Sequence, residues 1–233
     1  MKTLKDILLA ESNQLTINWP FLSRKTSSKH VSIFLIGSIL NYQIPLEKAW
    51  LNAERLVNTI LPKNSNPWLE ISKYSEQDWA DKFKEYHLHR FPVAHNKIWT
   101  VSNIINSKYN SDPRNIWNND TPEQILERLA ELKIGPQLSR MIIGALIDMK
   151  IIIGTGDIKP DIHIRRLMGR LINGKDIKMD AEEAVEEARK IYSVNPWKLD
   201  RALFFIAKDF CHNKKPNCKQ CPLRNHCSFR NKL

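Results

Sequence analysis

The chain has 233 residues, of which 42% are hydrophobic, so it can bury a core as one large domain or as two intimately packed small ones. Only 7 residues are glycine, which disfavours turn-rich all-β folds and favours helices joined by short loops. Lysine and arginine number 36 against 25 acidic residues, giving a net charge of +11. Because these charges are spread along the chain, we expect a folded surface that binds a polyanion.

Neither a secretory signal nor a membrane span is expected. The N-terminal residues MKTLKDILLAESNQ are charged and lack a sustained apolar core. The longest apolar runs, Val31–Leu40 and Met141–Ile147, are too short to cross a bilayer. The four cysteines all lie within residues 211–227, which favours a metal site in a reducing compartment over a disulfide scaffold. We therefore expect no membrane partner, and a cytoplasmic, nucleoid-associated location or, in a eukaryote, a nuclear one.

Helical patterns begin in the N-terminal third of the chain. Val31–Leu40 is a buried run, and Pro45 then opens a second helix. One face of that helix is apolar and is formed by Leu46, Ala49, Trp50, Ala53 and Leu56. The same periodicity predicts a helix over Lys97–Lys108.

A helical hairpin is predicted near the middle of the chain. Thr121 is an N-cap residue followed by Pro122, and Gln124 stands three residues after the cap, which marks a helix start. This helix ends near Gly135, and another runs over Leu138–Met149. Two helices joined by a tight, glycine-containing turn form such a hairpin.

Three more helices are predicted after Gly154 and Gly156. Asp161 precedes a helix that extends from Ile162 to about Ile172. Ala181–Tyr192 is amphipathic with an acidic outer face, and Pro196 opens a last helix that runs to Phe210.

The cysteines follow this last helix, with the spacing Cys211-x6-Cys218-x2-Cys221-x5-Cys227. Four thiolates in one short segment suit tetrahedral zinc or an iron–sulfur cluster. Zinc ribbons usually pair two short C-x2-C knuckles, and only one occurs here, so the spacing favours the cluster and leaves zinc as the alternative.

The order of hairpin, Asp-x-His helix and cysteine cluster resembles the helix-hairpin-helix superfamily of DNA glycosylases over about residues 31–227. That family has a hairpin of the form L-P-G-V-G-x-K-x-A followed by V-D-T-H-x-x-R. The corresponding stretches here are ELKIGPQLS (Glu131–Ser139) and PDIHIRR (Pro160–Arg166). The cysteine spacing is similar to that of the 4Fe–4S loop in the endonuclease III branch.

The resemblance implies an all-α, two-lobed helix-hairpin-helix DNA glycosylase fold with an iron–sulfur cluster loop. One lobe, residues 31–154, is then a helical barrel that contains the hairpin. The second lobe, residues 1–30 plus 155–233, carries the catalytic aspartate and the cluster loop, residues 211–227. The implied partner is double-stranded DNA with a damaged or mismatched base, bound by a monomer.

The resemblance also implies a catalytic role for Asp161, because cleavage of an N-glycosidic bond builds positive charge on the sugar. The alternative is an aspartate that only caps its helix. Family members that also nick the backbone carry a Schiff-base lysine where this chain has Gln137, so the resemblance implies a monofunctional glycosylase. Gln137 either reads the flipped base or is a surface residue. The alternatives are a bifunctional endonuclease III-type glycosylase/AP lyase and a non-catalytic iron–sulfur DNA-binding protein.

Four further residues are expected to contact DNA. Lys133 replaces the first glycine of the family's hairpin and Gly135 matches the second, so this turn is expected to hold a backbone phosphate. Tyr42 and Gln43 lie in the loop that, in the family, fills the gap left by the flipped base. The alternatives are an ordinary helical turn and a helix-terminal loop with a half-buried tyrosine.

Overall fold

A computed structural model describes residues 2–15, 19–23, 26–118 and 120–230. Within these ranges every regular element is helical and no β-strand occurs, which confirms the all-α prediction. The α-helices of the described residues are α1 (Leu4–Gln14), α2 (Ser28–Leu40), α3 (Leu46–Arg55), α4 (Pro67–Ser72), α5 (Glu76–Glu85), α6 (Val93–Lys108), α7 (Pro122–Glu131), α8 (Pro136–Asp148), α9 (Ile162–Leu171), α10 (Ala181–Ile191) and α11 (Trp197–Asp209). None of the described helices is both long and apolar enough to cross a bilayer.

The predicted helix starts follow local capping chemistry. At the start of α7, the Gln124 amide N–H donates to the Thr121 hydroxyl at 3.4 Å, and the Thr121 N–H donates to the Gln124 side chain at 3.0 Å. This reciprocal pair is the capping box that the sequence predicted, with Pro122 at the first helical position. Helix α9 begins directly after Asp161, also as predicted.

Three helices that the sequence analysis did not assign, α1, α4 and α5, also begin at capping residues. Thr3 and Asp6 form a second capping box at α1. Asn66 precedes Pro67 at α4, and Ser75 caps α5. These short signals were available in the sequence, but they lack the long apolar periodicity that identifies a helix most clearly.

The described residues divide into two compact units. Residues 2–15 and 155–230 form the C-terminal unit, and the described part of residues 19–154 forms the hairpin unit. The described residues 19–23 and 26–30, which the sequence analysis placed in the second lobe, lie in the hairpin unit. The physical reason is Trp19, whose ring contacts Phe34 and Trp50 edge-on at 6.4 and 6.2 Å and whose indole N–H donates to Asp148 at 2.9 Å.

The hairpin unit is built around α2, which is buried along residues 31–40. A Cβ atom at Gly37 would lie 2.0 Å from Cδ1 of Trp50, so glycine is required for the close approach of α3. The Ser32 hydroxyl accepts a hydrogen bond from the Trp68 indole at 2.8 Å, which satisfies a polar group inside this core.

The core of the C-terminal unit lies among α1, α9, α10 and α11. A Cβ atom at Gly169 would lie 2.0 Å from the carbonyl oxygen of Ile177, so α9 needs glycine where the chain 177–179 crosses it. The Met179 amide donates to the Arg165 carbonyl at 3.0 Å and fixes this crossing. Helix α9 is therefore held by its buried side chains in this core and by contacts with the backbone of residues 177–179.

Candidate functional site

The predicted hairpin is present as α7, a tight turn and α8. Lys133 lies in this turn with φ +60°, a left-handed conformation that favours glycine. Its amide donates to the Ala130 carbonyl at 2.9 Å, and the Ile134 amide donates to the Leu129 carbonyl at 3.0 Å, which closes the end of α7. Lys133 is exposed, so its charge is available on the surface of the turn.

Gly135 is the N-cap residue of α8, and no side chain caps that end of the helix in the described structure. A Cβ atom at Gly135 would meet no other atom within 4 Å, so the fold itself does not require glycine here. The first-turn N–H groups of α8 and its dipole suit an anion at this point. Gln137 stands on this first turn and is half-buried.

Tyr42 and Gln43 form an exposed turn after α2, and Gln43 has φ +54°. Two residues from the segment before α6 bind this turn. The Tyr42 carbonyl lies 2.9 Å from Nε2 of His89, and the Gln43 carbonyl accepts from the Arg90 guanidinium at 3.0 Å. The Tyr42 ring packs edge-on against Phe91 at 5.6 Å while 44% of the residue stays exposed. The structure therefore shows a braced turn whose side chains remain accessible.

A cavity in the hairpin unit is lined by three histidines, His87, His89 and His95, together with residues of α3 and α5. His95 contacts the Phe83 ring at 6.0 Å, and His89 binds the Tyr42 carbonyl. No group of three or more metal-binding side chains is arranged around a single ion in the described ranges. His89 and His95 thus make contacts within the hairpin unit.

Asp161 is the N-cap residue of α9. Its Oδ1 atom accepts from the amides of His163 and Ile164 at 2.8 and 2.9 Å. Across the part of the chain that the structure describes, Oδ2 makes no hydrogen bond. One carboxylate oxygen of the half-buried Asp161 thus caps the helix, the other makes no hydrogen bond to the described residues, and the dipole of α9 favours negative charge here.

A second carboxyl group, Asp200 of α11, lies near Asp161 in the same unit. Its Oδ1 atom accepts from the Lys159 amide at 2.5 Å. Burial raises the pKa of the Asp200 carboxyl from 3.8 to about 7. The Lys159 amide and the charges of Lys159 and Arg201 oppose this shift, and the negative charge of Asp161 adds to it. The sequence analysis did not identify Asp200, because 41 residues separate it from its hydrogen-bond partner.

The four cysteines come together in the C-terminal unit, where Cys211, Cys218, Cys221 and Cys227 all line one small, mostly apolar cavity. Burial raises the pKa of the Cys221 thiol to about 11, and the other three cysteines add to the shift. A metal that binds such thiols removes their protons outright. The four cysteines thus line one cavity, but in the described ranges they are not grouped around a single metal position, so a group held by four thiolates stays a prediction.

Arg170 of α9 ties this segment to the core. Its side chain is almost completely buried and donates to Cys211 Sγ at 3.3 Å, to the His212 carbonyl at 2.7 Å and to the Asn213 carbonyl at 3.1 Å. It also pairs with Asp176 at 2.6 Å. The guanidinium is thus satisfied by the backbone and by one of the cysteines.

The predicted site residues fall in different units. Asp161 and the four cysteines belong to the C-terminal unit. The hairpin unit contains Tyr42, Gln43, Lys133, Gly135 and Gln137. The roles predicted for these residues stay predictions, and Asp200, Arg170, His89 and Arg90 are added by the structure.

Comparison with known proteins gives one sequence relative and several structural ones. No protein-family model matches the chain. Endonuclease III of Thermotoga maritima is 25% identical over 165 residues, which cover 69% of this chain and 67% of that protein. The structure of a thermostable thymine-DNA glycosylase matches 98% of this chain and 95% of its own with a TM-score of 0.68 at 15% identity.

Two endonuclease III structures with DNA are also similar. A trapped covalent intermediate matches 100% of this chain and 99% of its own, with a TM-score of 0.64 at 17% identity. A non-covalent complex matches 100% and 98%, with a TM-score of 0.65 at 18% identity. These likenesses show that the chain has the all-helical fold of the thymine-DNA glycosylase and of endonuclease III. The sequence relative agrees with them, so the chain is similar in sequence to endonuclease III and similar in fold to the helix-hairpin-helix DNA glycosylases that the sequence motifs resemble.

The raised pKa of Asp200 generates a prediction about stability. An acid whose pKa is higher in the folded state contributes most to the free energy of unfolding when it is protonated, and the contribution is lost as the pH rises from about 4 to about 7. Asp200→Asn cannot ionise, so its free energy of unfolding should fall less than that of wild type across this window. Denaturant unfolding at a series of pH values measures the difference.

Asp209→Asn is the matched control, because it removes an exposed acid from the other end of α11. Its unfolding free energy should follow the wild-type pH dependence. Parallel curves for wild type and Asp200→Asn would contradict the assigned shift.

Proposed function

We propose that this protein is a base-excision DNA glycosylase that binds duplex DNA and hydrolyses the N-glycosidic bond of a flipped, damaged or mispaired base. The observation that carries the proposal is the Asp161 carboxylate, with one oxygen fixed by two amides of α9 and the other making no hydrogen bond to the described residues. The full-length likeness of the fold to thymine-DNA glycosylase and endonuclease III supports it.

The chemistry needs a carboxylate in a fixed position. A base inside a duplex is out of reach, so the nucleotide must be flipped out of the stack first. Cleavage of the bond then builds positive charge on the sugar, and a carboxylate stabilises that charge or activates the attacking water. Because two amides of α9 hold Oδ1 of Asp161, the side chain needs little movement to place Oδ2 beside the sugar or the attacking water.

The proposed reaction is monofunctional. A Schiff base requires an amine, and Gln137 supplies only an amide at the position where bifunctional relatives carry lysine. Lys133 is the nearest lysine in sequence and is exposed, so it is the candidate nucleophile for the bifunctional alternative. Borohydride trapping of wild-type protein on abasic DNA separates the two.

Double-stranded DNA is the proposed partner. The first turn of α8 and the charge of Lys133 would hold a backbone phosphate, and the open space beside Gly135 would let that backbone approach closely. Tyr42 and Gln43 are accessible on a braced turn and suit stacking and hydrogen bonding at the gap left by the flipped base.

We further propose that Cys211, Cys218, Cys221 and Cys227 hold a 4Fe–4S cluster with a structural role. All four thiols line one cavity, and Arg170 places a positive charge beside Cys211. When bound, the cluster would cross-link the loop and fix its basic side chains for phosphate contact. The lysines and arginines of this loop and of residues 228–230 are Lys214, Lys215, Lys219, Arg224 and Arg230.

The first prediction from this proposal concerns Asp161→Asn. The amide still accepts from the His163 and Ile164 amides, so folding and DNA binding should survive. The variant loses the negative charge that the sugar cation needs, so base release should fall by about 100-fold or more. Single-turnover release from a panel of single-lesion duplexes, developed with alkali, measures the effect.

Asp180→Asn is a matched control, because Asp180 caps α10 through the Glu182 and Glu183 amides in the same way. It should release bases at the wild-type rate. Full activity in Asp161→Asn would refute the catalytic assignment. If wild type releases no base from any duplex in the panel but still binds DNA, the non-catalytic alternative is favoured.

A second prediction concerns the cluster. Protein purified without oxygen should be yellow-brown and contain about four iron atoms per chain, because four thiolates suit a cubane. His226→Ala should retain the iron, since its ring contacts the Lys2 carbonyl and four cysteines already complete the site. Metal analysis that finds zinc and no iron would establish the zinc alternative.

The third prediction concerns Lys133→Gly. Glycine fits φ +60° without steric cost, so the free energy of unfolding should rise by about 1 kcal/mol. Loss of a phosphate contact should weaken DNA binding at low salt and reduce the slope of log affinity against log salt by about 1.

Lys150→Gly is the control, because Lys150 has φ +55° and lies just beyond the other end of α8. It removes the same charge from the same backbone conformation, so its salt slope should match that of wild type. An unchanged slope in Lys133→Gly would show that the hairpin lysine makes no phosphate contact.

A further inference from the structure

We propose that Asp200 is the positioning residue for Asp161, acting through the backbone segment that leads into α9. This inference rests on the proposed glycosylase function. It concerns residues of the C-terminal unit alone, so every contact that it uses lies within one compact body.

The segment from Gly156 to Pro160 has neither helical nor strand hydrogen bonding. It is held by hydrogen bonds to Asn195 and to the first turn of α11, which begins at Trp197. At its beginning, the Gly156 amide donates to Asn195 Oδ1 at 3.3 Å, and the Trp197 amide donates to the Gly156 carbonyl at 2.7 Å. At its end, the Lys159 amide donates to Asp200 Oδ1 at 2.5 Å. The start of α11 therefore braces both ends of the segment.

The contact at Lys159 leads directly to the proposed catalytic group. The Asp161 amide donates to the Lys159 carbonyl at 2.7 Å, which folds residues 159–161 into a tight turn. Asp200 fixes the Lys159 amide, the turn fixes the Asp161 backbone, and the cap of α9 fixes the Asp161 side chain. Loss of the hydrogen bond between the Lys159 amide and Asp200 would therefore shift the Asp161 carboxylate relative to the sugar.

The surroundings of Asp200 disfavour a charged carboxyl group at this position. The neighbouring residues Ile158 and Leu199 are fully buried, and the same burial raises the pKa of the Asp200 carboxyl. A second carboxyl near Asp161 also adds repulsion between like charges. An apolar residue would avoid both penalties but would leave the Lys159 amide without its acceptor.

Three variants separate positioning from folding. Asp200→Ala removes the acceptor, Asp200→Leu removes it while filling the space, and Asp200→Asn keeps an acceptor of the same shape. Asn195→Ala removes the brace at the other end of the segment and is the matched control. Each is tested for thermal unfolding, for affinity to a single-lesion duplex from which wild type releases the base, and for single-turnover base release.

We expect Asp200→Ala and Asp200→Leu to bind the lesion duplex as wild type does and to release the base about 100-fold more slowly. Asp200→Asn should recover most of the rate. Asn195→Ala should unfold at a lower temperature yet keep its rate, because it acts at Gly156 and not at Lys159. If Asp200→Ala does not fold, Asp200→Leu decides the comparison.

Two results would overturn the inference. Wild-type rates in Asp200→Leu would show that the anchor is not needed, and an Asp200→Asn as slow as Asp200→Leu would show that the acceptor is not what matters. Failure of the proposed function looks different, because wild type itself would then release no base from any duplex in the panel.

Discussion

The buried guanidinium of Arg170 is the constraint on which the C-terminal unit depends. A charge that is 1% exposed needs partners on every side, and Arg170 finds them in Asp176, the Cys211 thiol and the carbonyls of His212 and Asn213. Most of these partners belong to the segment that carries the cysteines. The path of that segment is therefore dictated by the hydrogen-bonding needs of one side chain on α9.

Helix α9 consequently serves two parts of the unit. Its N-terminus holds the Asp161 carboxylate, and its C-terminus accepts from the chain after Cys227, where the Ser228 and Phe229 amides donate to the Leu171 and Arg170 carbonyls. Gly169 allows a second stretch of backbone to cross the helix between these ends. A helix restrained at both ends gives the proposed catalytic group a rigid support, which suits chemistry that depends on placement.

The hairpin turn contains two residues, Lys133 and Gly135, that its backbone conformation does not require. Lys133 adopts a backbone conformation that glycine would adopt more easily, whereas a Cβ atom at Gly135 would meet no other atom within 4 Å. Neither choice is explained by the folding of the turn alone. Both are explained if a polyanion approaches, since the lysine then adds charge and the glycine leaves room. The local conformational cost at Lys133 is of the kind that accumulates at functional sites.

The sequence by itself determined the features that depend on near neighbours, such as the capping box at Thr121, the hairpin turn and the cap at Asp161. Capping and periodicity act over three or four residues, so they can be read directly along the chain. Only the tertiary structure decided which distant groups complete each site. Asp200 meets Lys159 across 41 residues, and His89 meets Tyr42 across 47. No local pattern encodes such pairs, because they arise when packed helices bring separate segments together.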